Sequence, residues 1–579
     1  MIQYIINPLT NKHIYDVTLK FTASKTTHDI YLPVWIPGSY MVREFSKNII
    51  QVTAKTGTMN QNTKNTWSIT NLVVGDTIEI SYQVYAYEYG IRTAFLDNYR
   101  GYFNPTSLCL AIDGFENDEH LVTFANNLPD MWQVAVGLDN VNGSFIAKNY
   151  DELLDMPFEI GILECHEFIV ANTPHYLVLS GNILPFDKER IINDITKVCE
   201  YQIKMFGGTA PYKHYTFILN LSGEVCTGLE HRNSTLLMAP SYALPNLNGT
   251  NEDDYIKLMG LISHEFFHTW NVKRIKPKVF TPYNVKEENY TKLLWWFEGV
   301  TSYYDDLVMY RSGVVNQEKY LGFIIDAINN VYKFDAVNKQ SIANSSLTAW
   351  TKYYRQDENS PNSIVSYYVK GSLVAMCLDL LIRDKTDSKY SLDDVLHLMF
   401  INWQQNPIGI SEDEVPTIIQ TATGVDLTDF IKLATETTDM LPLVNLLARF
   451  GLKLSNQVAK NYQDSGKYYT SVKDNTTNKS LDLGMKLEKQ LLGYVVKNVY
   501  ANTPAEKAGI AANDLIIAIN STKLTNLDRQ ISFLQDGDIA MLSVFRHEKL
   551  LDIPVMITTS KTHVYNLMLE NEQFLSKWL

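Results

Sequence analysis

The 579-residue chain contains no apolar run of about 18 residues, the length a membrane-crossing helix needs, so no membrane span is expected. Positive charge is not in excess either: 50 Lys and Arg against 64 Asp and Glu leave a formal net charge of −14. That balance argues against a nucleic-acid partner, and against attachment to anionic lipid by a basic patch, because either needs a cationic surface. Cysteine is scarce. The five present, Cys109, Cys165, Cys199, Cys226 and Cys377, are odd in number, far apart and never in C-x-x-C spacing, which reads as buried thiols in a reducing compartment. The opening MIQYIINPLTNKHIYDVTLKF alternates polar and apolar residues, without the basic start and unbroken apolar stretch of a signal peptide. A cytoplasmic protein is therefore expected. Sequence repeats and low-complexity segments are also missing.

What is present is an ordinary globular composition, 45% hydrophobic and 12% aromatic with 35 tyrosines, in a chain too long for one core. At about 150 residues per domain it should hold three or four units. Short alternating runs such as "IYDVTLKFTA" and "TIEISYQVYAYEY" predict an antiparallel β domain over 1–170. "ERIINDITKVCEYQIKMFG" then has helical spacing and stops at a glycine, the strand-like "YTFILNLS" follows, and most segments from Asp253 to about Glu436 look helical. Alternation returns beyond about Leu452, where "TPAEKAGI" predicts a short helix closed by Gly509 among strand candidates. The expected class is multidomain α+β: a β domain over 1–170, a mostly helical domain over 171–450, and a small β-rich module with a tail over 451–579. The polar stretch Asn456–Ser480 is the best candidate for a mobile segment.

The chemistry concentrates in "LMGLISHEFFHTWNVKRIKP", Leu258 to Pro277, where His264, Glu265 and His268 form H-E-x-x-H inside an apolar run. Residues four apart on a helix lie one above the other, so both imidazoles can address one point, with Glu265 beside it. A core helix with two locally bonded histidines is the bland alternative. Against it stands Glu265, because an unpaired buried carboxylate is costly unless a cation or donors meet it. Zinc with two histidines needs a third protein ligand and an open position for water. Glu298, in "WWFEGVTSYYDD" on the next predicted helix, is the strongest candidate. Pro277 and Pro282 suit a loop between the two helices.

"HEFFHTWNVKRIKP" followed by "EGVTSYY" resembles the glycyl aminopeptidase family of zinc metallopeptidases. So do "LPVWIPGSYMVREFSKN", "YDELLDMPFEIG" and "TPAEKAGI", so the resemblance runs over nearly the whole chain. It implies an N-terminal β domain, a thermolysin-like catalytic domain and a C-terminal PDZ domain, with one zinc ion per chain on His264, His268 and Glu298. Glu265 would be the catalytic carboxylate, taking a proton from the attacking water and returning it to the leaving amine. "TGLEHRN" resembles the segment with which related aminopeptidases hold a free amino group, which makes Gly228 and Glu230 substrate-binding. Tyr368, in "SYYVKGSL", resembles a transition-state tyrosine, with Tyr367 its unresolved neighbour. "LGMKL" resembles a PDZ carboxylate-binding loop, so Leu483, Gly484 and Met485 would receive a peptide C-terminus.

Trp295, Trp296 and Phe297 are expected to pack rather than bind. "KRIKPK" is expected to be basic residues at a helix end favoured by the macrodipole. The function implied is removal of small N-terminal residues, glycine or alanine, from peptides with a free N-terminus. A PDZ-assisted endopeptidase and a non-catalytic peptide-binding scaffold are the alternatives.

Overall fold

The computed structural model describes residues 1–125, 128–460, 464–469 and 481–579. They form two compact units, the first of residues 1–290, 311–314 and 400–411, the second of residues 291–310, 315–399 and 412–579.

In the first unit the strands follow the period of two. Ile2–Leu9 and Ile14–Thr22 alternate buried and half-exposed positions almost without a break, so each presents one apolar face inward. They sit near the middle of a seven-stranded sheet, between His120–Phe124 on one side and Thr77–Tyr85 on the other. The expected antiparallel domain has an exception here, since Ile2–Leu9 and His120–Phe124 run parallel. Parallel neighbours need a long connection, and the chain between them builds one further four-stranded sheet and half of another.

A five-stranded sheet follows, in the order Glu164–Val170, Thr173–Gly181, Tyr215–Leu221, Ser234–Ala239, Thr227–Glu230. Its three middle strands are parallel and its two edge pairs antiparallel. Tyr215–Leu221 and Ser234–Ala239 are buried at every position, as strands covered on both faces must be. The buried cluster of the β domain continues into this sheet, for Ile218, Leu229, Leu236 and Met238 share it with Tyr4, Val17 and Trp67. The edge strand Thr227–Glu230 packs on the helix Glu252–Phe267. That helix opens with Glu252, Asp253 and Asp254, acidic side chains at the positive end of its dipole.

The second unit holds a helical part and the C-terminal sheets. Gly299 and Gly371 are where two of its helices touch: a Cβ on Gly299 would lie 2.5 Å from the Gly371 Cα. The short helix Pro504–Ala508 is capped by the Thr503 side chain and closed by left-handed Gly509 at φ 74°. It sits beside a sheet ordered Met485–Lys489, Tyr494–Val499, Leu515–Ile519, Ile539–Arg546, Lys549–Met556. After that sheet the chain returns, and His563–Leu569 pairs antiparallel with Leu452–Val458. Of the stretch expected to be mobile, residues 461–463 and 470–480 lie outside the described residues, while Leu452–Val458 and Tyr468–Tyr469 are strands.

The expectation of five buried thiols is corrected. Cys109, Cys199 and Cys377 are buried, but Cys165 and Cys226 are exposed, and all five are free. Cys165 lies on the outward face of the edge strand Glu164–Val170 and Cys226 in the loop before Thr227. Among the described residues no helix is long and apolar enough to cross a membrane.

Candidate active site

His264 lies in the last turn of Glu252–Phe267, and His268 is its C-cap. The helical spacing places their rings against each other, centroids 4.7 Å apart and planes at 86°. His268 Nδ1 is 2.8 Å from the Asn271 carbonyl oxygen. A carbonyl only accepts, so Nδ1 carries the hydrogen and Nε2 the lone pair, the tautomer of a metal-ligating imidazole held by a second partner. The turn that supplies this carbonyl holds Val272 at φ 139°, a strained conformation for a β-branched residue that costs on the order of 1–3 kcal/mol.

Beside the histidines stand two buried carboxylates. Glu230 and Glu265 are 4% and 5% exposed, and each, with His268, offers a ligand-capable atom within 4.8 Å of the other two. Glycine makes both approaches possible. A Cβ on Gly228 would lie 2.2 Å from Glu265 Oε1, and one on Gly38 would lie 2.3 Å from Glu230 Oε1. Glu230 Oε1 is buried without a hydrogen-bond partner among the described residues. Arg92 Nη2 reaches the Gly228 carbonyl at 3.4 Å. Burial pushes the Tyr283 phenol well up, and the nearby Glu230 charge adds to it.

Within the second unit, Glu298 is buried between the helices Leu294–Phe297 and Gly299–Arg311. Its carboxylate adds to burial in raising the Tyr367 and Tyr353 phenols. The Gly299 to Gly371 contact brings Glu298 and the start of Val369–Thr386 close together. Tyr367 is fully buried, whereas Tyr368 is half-buried with its hydroxyl 2.9 Å from that of Tyr354. Trp295, Trp296 and Phe297 are core residues. In the C-terminal module, the Gly484 N–H donates to Asp482 Oδ1 at 3.0 Å. The carbonyls of Leu483 and Gly484 accept from Ala505 and Tyr500. Among the described residues Met485–Lys489 is an edge strand paired only with Tyr494–Val499.

The structure thus gathers His264, His268, Glu265, Glu230 and Gly228 in the first unit, and Glu298 with Tyr367 and Tyr368 in the second. The reading of "KRIKPK" as basic residues at a helix end favoured by the macrodipole is corrected. Lys273 is buried on Asp155, Nζ to Oδ1 2.6 Å, Arg274 donates to three backbone carbonyls, and burial pushes Lys276 down to about 8. Those charges face inward because their counter-charges, Asp155 and Asp151, come from the far upstream "YDELLDMPFEIG". Gly38, Arg92, Asp155 and Tyr283 went unassigned from the sequence, although the segments holding Gly38 and Asp155 were noticed for their resemblance. Imidazole nitrogens with buried carboxylate oxygens are a donor set that suits zinc.

Three comparisons bear on this site. The family described as M61 glycyl aminopeptidase matches residues 257–374, its N-terminal domain matches 3–162, and a PDZ domain matches 481–557. The crystal structure of an aminopeptidase N family protein from Idiomarina loihiensis is 36% identical, with each chain covered over 100% and a TM-score of 0.94. An M1 zinc metallopeptidase from Deinococcus radiodurans, 13% identical over 76% of this chain and 94% of that one, has a TM-score of 0.46, too distant to carry an argument. A probable periplasmic serine endoprotease, DegP-like, from Chlamydia trachomatis is 36% identical over 80 residues, 13% of this chain and 16% of that protein. With the M61 match over the candidate site and the full-length likeness to the Idiomarina protein, the chain belongs to the M61 glycyl aminopeptidase family of zinc metallopeptidases and is a zinc aminopeptidase.

Proposed function

We propose that the chain hydrolyses the first peptide bond of peptides with a free N-terminus, small residues such as glycine and alanine first, with one zinc ion per chain held by His264, His268 and Glu298. The observation that carries this reading is Glu230. Its Oε1 is buried without a partner among the described residues, in the group that also holds Glu265 and His268. Leaving such an atom unpaired costs about 1–3 kcal/mol. A substrate α-ammonium answers both the hydrogen bond and the charge, and the short distance to Glu265 leaves room for one residue before the bond to be cut.

Bound zinc would lower the pKa of water towards about 7 and polarise the substrate carbonyl. Glu265 accepts the proton of the attacking water and passes it to the leaving amine, acting first as base and then as acid. Gly228, with its Cα against that carboxylate, fixes where the proton is taken. The Tyr368 hydroxyl donates to the developing oxyanion, a contribution of about 3 kcal/mol. Its partial exposure favours it over the enclosed Tyr367. The preference for glycine and alanine rests on family membership.

In the C-terminal module, peptide binding by strand addition at Met485–Lys489 is the accompanying proposal. Capture of a terminal carboxylate by Leu483, Gly484 and Met485 would compete with Asp482 for the Gly484 N–H. A cytoplasmic address rests on the five free thiols.

The test is hydrolysis of glycyl, alanyl and leucyl anilides and their N-acetyl counterparts, with and without a chelator. Cleavage of the free amines alone, lost with the metal, is expected. Equal cleavage of N-acetylated substrates would sink the amino-group role of Glu230 and favour the endopeptidase.

A further inference from the structure

Asp155 is the C-cap of the short helix Tyr150–Leu154 and is buried. Its carboxylate receives four donors from two segments that flank the candidate site. Oδ1 lies 2.6 Å from Lys273 Nζ and 3.2 Å from His231 Nδ1. Oδ2 accepts the Arg232 backbone N–H at 3.0 Å and Arg232 Nε at 2.9 Å. His231 and Arg232 directly follow Glu230, the proposed amino-group anchor. Lys273 follows His268, and its own N–H donates to the His268 carbonyl at 3.0 Å. A second tie runs parallel to the first, for Arg274 Nη1 donates both to the Arg232 carbonyl at 2.9 Å and to the Thr269 carbonyl at 2.6 Å.

A buried ion cluster of this kind is poorly explained by stability alone. Desolvation offsets most of the attraction, and apolar replacements of such clusters are often neutral or stabilising. What the cluster supplies is a definite geometry, because several directional bonds converge on two oxygens and any shift of one segment breaks them. In an aminopeptidase the geometry that matters most is the separation of the amino-group anchor from the metal and the base. That separation decides that one residue, and not two, fits before the scissile bond.

We propose that Asp155 is a positioning residue that sets this register, locking the Glu230 strand to the turn that leaves His268. The proposal rests on the reading of Glu230 and the zinc site given above. Asp155 touches no substrate. It acts through Glu230, and its charge explains why Lys273 is buried beside the site.

The test compares two ligands on the zinc-loaded full chain by calorimetry. Glycine hydroxamate carries a metal-binding hydroxamate and an α-ammonium, and acetohydroxamate lacks only the amine. Their affinity ratio measures how well Glu230 is placed relative to the metal. In Asp155→Asn the ratio should fall about tenfold, the loss of roughly one well-made charged contact. Zinc content by mass spectrometry and acetohydroxamate affinity should hold. Should that variant not fold, Lys273→Met, which leaves Asp155 bonded to Arg232 and His231, decides by the same ratio. An unchanged ratio in a folded variant overturns the proposal, and so does an equal loss for both ligands, which marks a general structural defect. A wild-type ratio of one would instead overturn the Glu230 reading, and the register proposal with it.

Discussion

Replacing Gly228 with alanine adds a single methyl group where the structure leaves no room for one. The added carbon would stand 2.2 Å from Glu265 Oε1, 2.5 Å from its Cδ and 2.6 Å from its Cγ, about 1 Å inside normal carbon–oxygen contact. The backbone does not resist the change, since Gly228 is not among the residues at positive φ and an alanine there even lowers the entropy of the unfolded chain by about 0.4–1 kcal/mol. The strain falls on the Glu265 side chain from Cγ outward and on no backbone atom among its nearest contacts, so the carboxylate moves by about 1 Å while strand and helix keep their places. For a proton-transfer group, a misplacement of that size costs about a hundredfold in rate, which is about 2.7 kcal/mol of barrier. The assay is kcat on a glycyl anilide at saturating substrate, beside zinc content and thermal midpoint. Expected are a hundredfold lower kcat, full zinc and an unchanged or slightly raised midpoint. A variant that is folded, zinc-loaded and as fast as the parent would refute the placement of Glu265 as base.

Glu265→Gln should keep zinc, measured by mass spectrometry, and lose turnover; undiminished hydrolysis would remove Glu265 from the mechanism. Gly371→Ala sets a methyl 2.8 Å from both the Gly299 Cα and the Trp295 carbonyl oxygen, so it should cost about 1–3 kcal/mol in urea unfolding, and an unshifted midpoint would contradict the close helix contact. For Asp155, burial alone would raise the carboxyl, but Lys273, His231 and Arg232 together hold it well below the usual carboxylate range. Its contribution is therefore full above the unfolded value of about 3.9 and is lost as pH falls below that towards the folded value. Urea midpoints of the parent and Asp155→Asn should converge as pH drops below about 4, and a constant gap would count against the ion cluster.

How far the sequence could be read depended on the range over which each residue finds its partners. The four-residue spacing of His264 and His268 places both rings on one helical face whatever the rest of the chain does, and the structure has them there. Gly509, which closes a short helix, was legible for the same reason, because a helix end is a local event. Tyr368 had no such signal. In a chain with 35 tyrosines nothing in composition or period marks one of them, and only resemblance singled it out. Buried charge is harder still. "KRIKPK" has the look of a helix end favoured by the macrodipole because a sequence window shows like charges side by side and cannot show Asp155 far upstream, whose carboxylate draws Lys273 inside. The exposed Cys165 follows similar logic, since its strand became a sheet edge only through the order in which distant strands paired. Gly38 and Gly228 carry the point furthest. A glycine that lets a carboxylate press against the backbone is identical, in sequence, to one that turns a loop, and only Glu230 and Glu265, arriving from other elements, separate the two meanings. Motifs therefore disclose the candidate groups for chemistry, while the residues packed against them are defined by contacts that no short stretch of chain contains.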